Sequence, residues 1–382
     1  MAKTKTVALL IETSNAYSRG MLQGIASYMH ENELWEIALP EQERGAGPPP
    51  WLNAWKGDGV IARIENDRIA RVLKRKCIPV VDVSAARKLP GVPWVEIDET
   101  GVGKAAFEHF RERGFERFAY CGEPAYDWSK LRQDGFAHFV NEAGFELEVF
   151  NDAPVPGQRD SVNQAKKRLI RWVKSLPSRT ALLACYDVKA QQILDACRHA
   201  GIKVPEQITL LGVDNDEVLC DLSTPPLSSV VPAAKRVGYE AARLLDVMMK
   251  GGKVDKLCHL IEPLGVETRQ STDILAVEDE DIASVLRFIR DHHCDGINVE
   301  DILKVVPLSR RTLESRFRAR VGRTMYQEIM RRRIERICQL LRGTDLSLGQ
   351  IAMRTGFQTE EYMNVAFRRA VGIPPGKFRK QR

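Results

Sequence analysis

The chain has 382 residues, of which 44% are hydrophobic and 28% charged, enough for two or three domains with real cores and too apolar for a disordered chain. No run of about 18 apolar residues occurs, which excludes a membrane span, and the N-terminal apolar run is too short for a secretory signal, so a cytoplasmic location is expected. The net charge of +6 conceals an asymmetry: residues 282–382 carry 21 Lys+Arg against 10 Asp+Glu, a surplus of +11, while the remainder stands at −5.

The first 270 residues read as alternating strands and helices. An apolar run at 7–11 predicts a strand and is followed by a helical pattern over 18–29. Runs at 59–62 and 79–83 predict two more buried strands. Residues 100–113 read as a helix ended by Gly114, and 117–121 as the next strand. The rhythm continues with a strand at 181–184, a helix at 190–200 stopped by Gly201, and a strand at 208–213. Such alternation implies a parallel sheet covered on both faces, and more than 250 residues of it suit two lobes facing one another.

Ligands in such folds bind beyond the C-terminal ends of the strands. The polar residues there are therefore the candidates: Asn15 and Tyr17 after the first strand, Ser84 after the run ending at Val83, and Trp128 after the strand at 117–121. Arg132 follows one turn into the next helix, Asp187 follows the strand at 181–184, and Asp214 and Asn215 follow the strand at 208–213. Carboxylates accept hydroxyl hydrogen bonds, arginine donates, and aromatic rings cover the apolar face of a sugar, so the set suits a polyhydroxylated ligand. Asp and Asn in such places also serve as helix caps and turn residues, and for each alone that reading stays open.

Residues 273–281 form a seam, with four consecutive acids at 278–281 that read as a solvated linker or a helix start. The expected division is 1–272, a linker at 273–281, and an all-α domain at 282–382. The eight cysteines form no CxxC pair and are spread along the chain, the usage of reduced thiols rather than a disulfide framework. Cys294 beside His292 and His293 reads as a helix-end surface cluster, and no metal is expected.

The C-terminal hundred residues contain a repeat. Leu313, Phe317 and Val321 recur as Met363, Phe367 and Val371 at an offset of 50. Each copy has a short preceding helix (299–306 and 348–355), a tight turn, and Ser309 or Thr359 placed to cap the second helix. Helix, turn, helix is the unit whose second helix enters a DNA major groove. Off the apolar stripe, the first copy offers Arg310, Arg311, Glu314, Ser315 and Arg318 to DNA, and the second offers Gln358, Thr359, Glu361, Asn364 and Arg368. Glu360 and Val365 lie on the same second helix. Arg pairs with guanine, Asn with adenine, and Glu accepts from cytosine. Met330, Ile334, Ile337 and Leu341 form one stripe on a long connecting helix, with Arg331, Arg332, Arg333 and Arg336 mostly off it.

The second copy, Ile351-Ala-Met-Arg-Thr-Gly-Phe357 followed by Gly372-Ile-Pro-Pro-Gly-Lys-Phe-Arg379, resembles the AraC-type DNA-binding domain. Phe378 stands where that family commonly has Tyr, and Pro307 stands in the first turn where glycine is frequent. Upstream, Arg132-Gln-Asp-Gly-Phe136, Ala181-Leu-Leu-Ala-Cys-Tyr-Asp187, Gly212-Val-Asp-Asn215 and Arg269-Gln-Ser-Thr272 resemble the LacI/GalR-type sugar-sensing core. That core is related to periplasmic sugar-binding proteins. The resemblance implies a two-lobed, type I periplasmic-binding-protein-like α/β domain, followed here by an all-α domain with two helix-turn-helix motifs. It also implies sugar contacts for Arg132, Asp187 and Asp214. That family's usual N-terminal DNA-binding domain is not expected here, because the first strand begins at once. The order of sugar core then AraC-type domain resembles the regulators of bacterial xylose operons. It implies a transcription activator, no cofactor, and D-xylose as effector, with another pentose or a small polyol as the alternative on the same architecture. The implied partners are double-stranded DNA, a second copy of the chain and RNA polymerase.

Other classes fare poorly. Gly101-Val-Gly103, with Ala106 in the third position of a dinucleotide fingerprint, follows Asp98-Glu-Thr100 rather than a clean strand-to-helix turn, and no GxxxxGK[ST], HExxH or GxSxG occurs, so no enzyme is expected. A sugar-binding or transport protein without a DNA role would leave the basic repeat unexplained.

Overall fold

A computed structural model describes residues 4–42, 44–151, 162–274, 279–344 and 346–380. The chain divides into two compact units, Met1–Ile274 and Leu275–Arg382.

In the first unit, one lobe is built from β1 (Thr6–Leu10), α1 (Ala16–Glu31), β2 (Glu36–Ala38), β3 (Gly59–Ala62), α2 (Asp67–Lys74), β4 (Val80–Asp82) and β5 (Trp94–Ile97). The chain then enters a second lobe through α3 (Glu99–Arg111), β6 (Phe118–Gly122), α4 (Asp127–Glu142), β7 (Leu147–Asn151) and α5 (Val162–Ser175). That lobe continues with β8 (Thr180–Ala184), α6 (Asp187–Ala200), β9 (Ile208–Val213), α7 (Glu217–Leu222) and β10 (Ser228–Val231). It returns with α8 (Ala234–Met249) and β11 (Cys258–Ile261) to the first lobe, and crosses once more to β12 (Gly265–Glu267) in the second. The two six-stranded sheets run β11-β5-β4-β3-β1-β2 and β12-β10-β9-β8-β6-β7.

Central strands such as β3, β8 and β9 are buried throughout. This is why they read as unbroken apolar runs. The expected parallel pairing holds except at β12, which runs antiparallel to β10. β2, β11 and β12 are short, partly exposed edge strands that carry no such run. β5 departs differently: Glu96 lies buried in the middle of its apolar residues. Helices α1 and α8 meet backbone to backbone, and a Cβ on Gly238 would stand 1.9 Å from the Met21 carbonyl oxygen. Helix α6 ends where expected, at Gly201 with φ 70°, a left-handed cap that glycine adopts without strain.

The second unit contains α9 (Glu280–His292), α10 (Val299–Ile302), α11 (Arg310–Val321), α12 (Met325–Gly343), α13 (Leu348–Arg354), α14 (Glu360–Val371) and α15 (Pro375–Arg379). Two cores form, one per copy of the repeat. Leu313, Phe317 and Val321 pack with Ile282, Ile289 and Ile302, while Met363 and Phe367 pack with Ile337, Leu341 and Ile351. Ser309 and Thr359 each accept from a backbone N–H three residues on, as caps.

Two details differ from the sequence reading, and a third decides between alternatives it left open. Helix α10 stops at Ile302, well short of Pro307, because the chain tightens into i→i+3 turns there, with the Lys304 and Val305 N–H groups donating to the Asp301 and Ile302 carbonyls. The described acids of the seam form a helix start, one of the two readings left open: Asp279 caps α9, Glu280 is exposed in its first turn, and Arg316 of α11 pairs with Asp279 at 2.5 Å and Asp281 at 3.1 Å. Arg332 and Arg333 lie off the apolar stripe yet are buried. Arg332 donates to the buried Glu328 at 2.9 Å, and Arg333 donates to the carbonyls of His293 and Ile297. These arginines hold the helices together rather than face outward.

Candidate functional site

Nine side chains from both lobes, most of them at or just beyond strand ends, converge on one cavity of about 360 Å³, its mouth included: Asn15, Tyr17, Arg44, Arg63, Glu96, Glu99, Trp128, Arg132 and Asp214. Asn15 caps α1 by accepting from Ser18 N–H at 2.8 Å, and its amide donates to Glu12 at 2.5 Å. Tyr17, in the first turn of α1, donates its hydroxyl to Glu96 at 2.5 Å. Arg63 follows β3 and pairs with Glu65 at 2.5 Å. Arg132 grips Glu99 through Nε at 2.6 Å and Nη2 at 2.9 Å, and also donates to the Cys185 carbonyl.

Arg132 and Glu99 are both buried, so each needs the other to offset its desolvation. Burial pushes Glu96 up to about 7, with the Arg63 charge and the Tyr17 hydroxyl pulling the other way. Burial likewise raises Asp214 to about 6 against the opposing pull of Arg132 and Arg44. No donor among the described residues bonds the Asp214 side chain, so this half-buried carboxylate lines the cavity with its acceptors unspent. Asp214 and Asn215 have φ of 107° and 46°. Non-glycine residues hold such backbone only where the surroundings enforce it, commonly at binding sites.

Five sequence candidates thus share the cavity: Asn15, Tyr17, Trp128, Arg132 and Asp214. Ser84, Asp187 and Asn215 are not among its lining side chains. Ser84 is buried beside Asp82, whose carboxylate accepts its N–H at 2.9 Å. Asp187 is committed elsewhere, accepting from Ser229 Oγ at 2.7 Å and Asp216 N–H at 2.8 Å. Asn215 accepts from Arg269 Nη1 at 2.9 Å, a turn contact of the kind the sequence left open. Arg44, Arg63, Glu96 and Glu99 were missed. The strand-end rule would have found Arg63, which directly follows β3; Glu96 lies within β5 and Glu99 two residues after it, a strand too short to stand out.

In the second unit, Arg310, Arg311, Glu314, Ser315 and Arg318 of α11 are exposed. Arg310 is paired with Glu300 at 2.6 Å and Glu314 at 2.9 Å. On α14, Glu361, Val365 and Arg368 are exposed, and Gln358 and Thr359 precede them on the surface. Asn364 is half-buried with its Oδ1 unpartnered. The turn into α14 requires glycine: Gly356 has φ 74°, and a Cβ there would stand 2.9 Å from the Cys294 carbonyl. No left-handed residue occurs in the first turn, where Pro307 replaces that glycine. Among the described residues no group of three metal-ligating side chains occurs, and no helix is long and apolar enough to cross a membrane.

A two-lobed sensor core and a double helix-turn-helix unit in one chain define a ligand-sensing transcription regulator. Domain-family matches follow the same division: a XylR N-terminal domain at residues 6–100, a periplasmic binding protein-like domain at 107–272 and a helix-turn-helix domain at 302–381. The xylose operon regulatory protein of Escherichia coli K12 is 31% identical, covering 99% of this chain and 97% of its own length. Its Haemophilus influenzae counterpart is 30% identical, covering 98% and 97%. The solved structure of a xylose-binding transcription activator, XylR, matches with TM-score 0.76 at 31% identity over 99% of this chain and 98% of that one. The chain belongs to the xylose operon regulatory protein family. It is a transcription regulator, not an enzyme, like the relatives it matches from end to end.

Proposed function

We propose that this regulator is switched by D-xylose bound in the cavity between its lobes, and that it activates xylose catabolism genes from the cytoplasm. The carrying observation is the Asp214 carboxylate, which lines the cavity without a donor of its own. Two paired arginines, Arg63 and Arg132, lie in the same lining. Sugar hydroxyls supply the missing donors, arginine N–H groups serve the sugar oxygens, and Trp128 covers the C–H face. Ser84, Asp187 and Asn215 lie outside this lining and are not assigned sugar contacts.

We place the sensor at 1–272, the linker at 273–281 and an AraC-type DNA-binding domain at 282–382, a division the two compact units support. Helix α12, with 19 residues, is about 28 Å long at 1.5 Å per residue. That length suits two recognition helices, α11 and α14, in successive major grooves about 34 Å apart. Arg311, Ser315 and Arg318 reach one groove, and Gln358, Glu361, Asn364, Val365 and Arg368 the other. Arg310 and Glu314 exchange their mutual pair for DNA contacts there, and Thr359 positions the second helix as its cap. Two copies of the chain bind paired half-sites. Sugar shifts the population towards the lobe arrangement that presents both DNA domains and contacts RNA polymerase.

A thermal shift series with D-xylose, L-arabinose, D-ribose and D-glucose tests this. A ligand at about 100 times its Kd stabilises the folded sensor by about 2.7 kcal/mol. A shift with D-xylose alone supports the assignment; a shift with another sugar replaces the effector; no shift with any removes the sugar reading.

A further inference from the structure

The segment between β2 and residue 50 sends one side chain, Arg44, into the cavity. This segment belongs to the first lobe: Asn66, the cap of α2, donates from its amide to the Ala46 carbonyl at 3.2 Å. The Arg44 guanidinium nevertheless lies on the second lobe. Its Cζ is 4.5 Å from the ring centre of Tyr186, 5.4 Å from that of Trp128 and 5.7 Å from that of Tyr126. The three rings brace each other, Tyr126 stacked on Trp128 at 5.5 Å and Trp128 edge-on to Tyr186 at 5.6 Å. Tyr186 is further fixed through its hydroxyl, which donates to Glu123 at 3.1 Å, and Lys189 pairs with that same carboxylate at 3.3 Å. Among the described residues no acceptor bonds the Arg44 guanidinium, so its N–H donors are uncommitted beside the cavity. Ring faces attract a guanidinium without using its donors.

We propose that Arg44 retains the ligand and limits its size. It enters the cavity from one lobe and is held by an aromatic trio of the other, so the lobes part only when that contact breaks. A sugar enclosed beneath it leaves slowly, and a sugar one residue longer finds its space occupied. The inference rests on the sugar-binding reading above.

The test measures D-xylose association and dissociation by stopped flow, and affinity by calorimetry, on the full chain and on Arg44→Ala, Arg44→Lys and Tyr126→Leu. Tyr126 does not line the cavity, so an effect there is not a lost sugar contact. Arg44→Ala is expected to dissociate roughly 3- to 30-fold faster with association little changed. Tyr126→Leu moves the same way by less, Arg44→Lys restores part of the retention, and xylobiose binds Arg44→Ala but not the unaltered protein. Wild-type dissociation rates in both Arg44→Ala and Tyr126→Leu overturn the proposal alone. Slower association in Arg44→Ala with Tyr126→Leu unchanged also overturns it, leaving Arg44 a simple contact. An unaltered protein that binds no monosaccharide overturns it together with the sugar reading.

Discussion

Replacing Asp214 by Asn separates ligand binding from folding, because the two respond with opposite signs. The substitution keeps the shape and suits the backbone: φ at this position is 107°, and Asn tolerates positive φ better than most residues. It removes a charge that burial has pushed from 3.8 up to about 6. A carboxyl whose folded pKa is raised binds its proton more tightly in the folded state, so its ionisation costs stability. That cost is absent below about pH 4, grows as pH rises to about 6 and is complete above it. The empty Asp214→Asn protein is therefore more stable at pH 8, by roughly 1–3 kcal/mol, and unchanged at pH 4. Sugar binding changes the other way. A hydrogen bond to a charged acceptor contributes about 1.5–3 kcal/mol, so D-xylose affinity falls about 10- to 150-fold at pH 8. In the unaltered protein affinity should itself decline as pH drops through about 6, as the Asp214 carboxylate takes up its proton. In Asp214→Asn that decline disappears. Calorimetric titrations at pH 5 and 8, and thermal unfolding at pH 4 and 8, check all of this. Unchanged affinity, or weakened affinity with a lower melting temperature of the empty protein, refutes the reasoning.

Further outcomes concern the scaffold and the DNA face. Glu328 is 1% exposed and accepts from Arg323, Arg331 and Arg332. Burial alone would raise its pKa, but the three arginines win and hold it near 2, so its stabilisation is present above about pH 4.5 and lost as pH falls towards 2. Glu328→Gln should cost the DNA-binding unit about 3–5 kcal/mol, seen as an earlier calorimetric transition; an unchanged transition contradicts this. Gly238→Ala places a Cβ 1.9 Å from the Met21 carbonyl and should destabilise the sensor unit by more than 1 kcal/mol in urea. A neutral result would mean α1 and α8 can slide apart freely. Arg368→Ala and Arg318→Ala should weaken operator binding in gel-shift or anisotropy titrations while leaving sugar affinity intact. If either contacts phosphate, the slope of log affinity against log salt should fall by about 1.

How much of this was legible in advance depended on how local the cause was. The central strands announce themselves because both faces are buried, which forces unbroken apolar runs such as Thr180–Ala184 and Ile208–Val213. Gly201 and the caps Ser309 and Thr359 are equally readable, since each acts on backbone within a few residues. The repeat around Phe317 and Phe367 disclosed both helix-turn-helix cores for the same reason. Edge strands β2, β11 and β12 escaped notice, because partners distant in sequence pair them and little burial marks them. Arg332 and Arg333 look like surface charge until Glu328, His293 and Ile297 close around them.

The sequence by itself determined the strand-and-helix alternation of the sensor unit, the charge of the DNA-binding unit and five of the nine cavity residues. Only the tertiary structure decided which polar strand ends meet. Asp187 and Asp214 both follow buried strands, yet Ser229 and the Asp216 backbone N–H claim the first and leave the second open to the cavity. Arg44 and Tyr186, 142 positions apart in the sequence, are brought together across two lobes. Hydrogen-bond partners and desolvation depend on neighbours in space, and residue type and spacing along the chain carry no record of them.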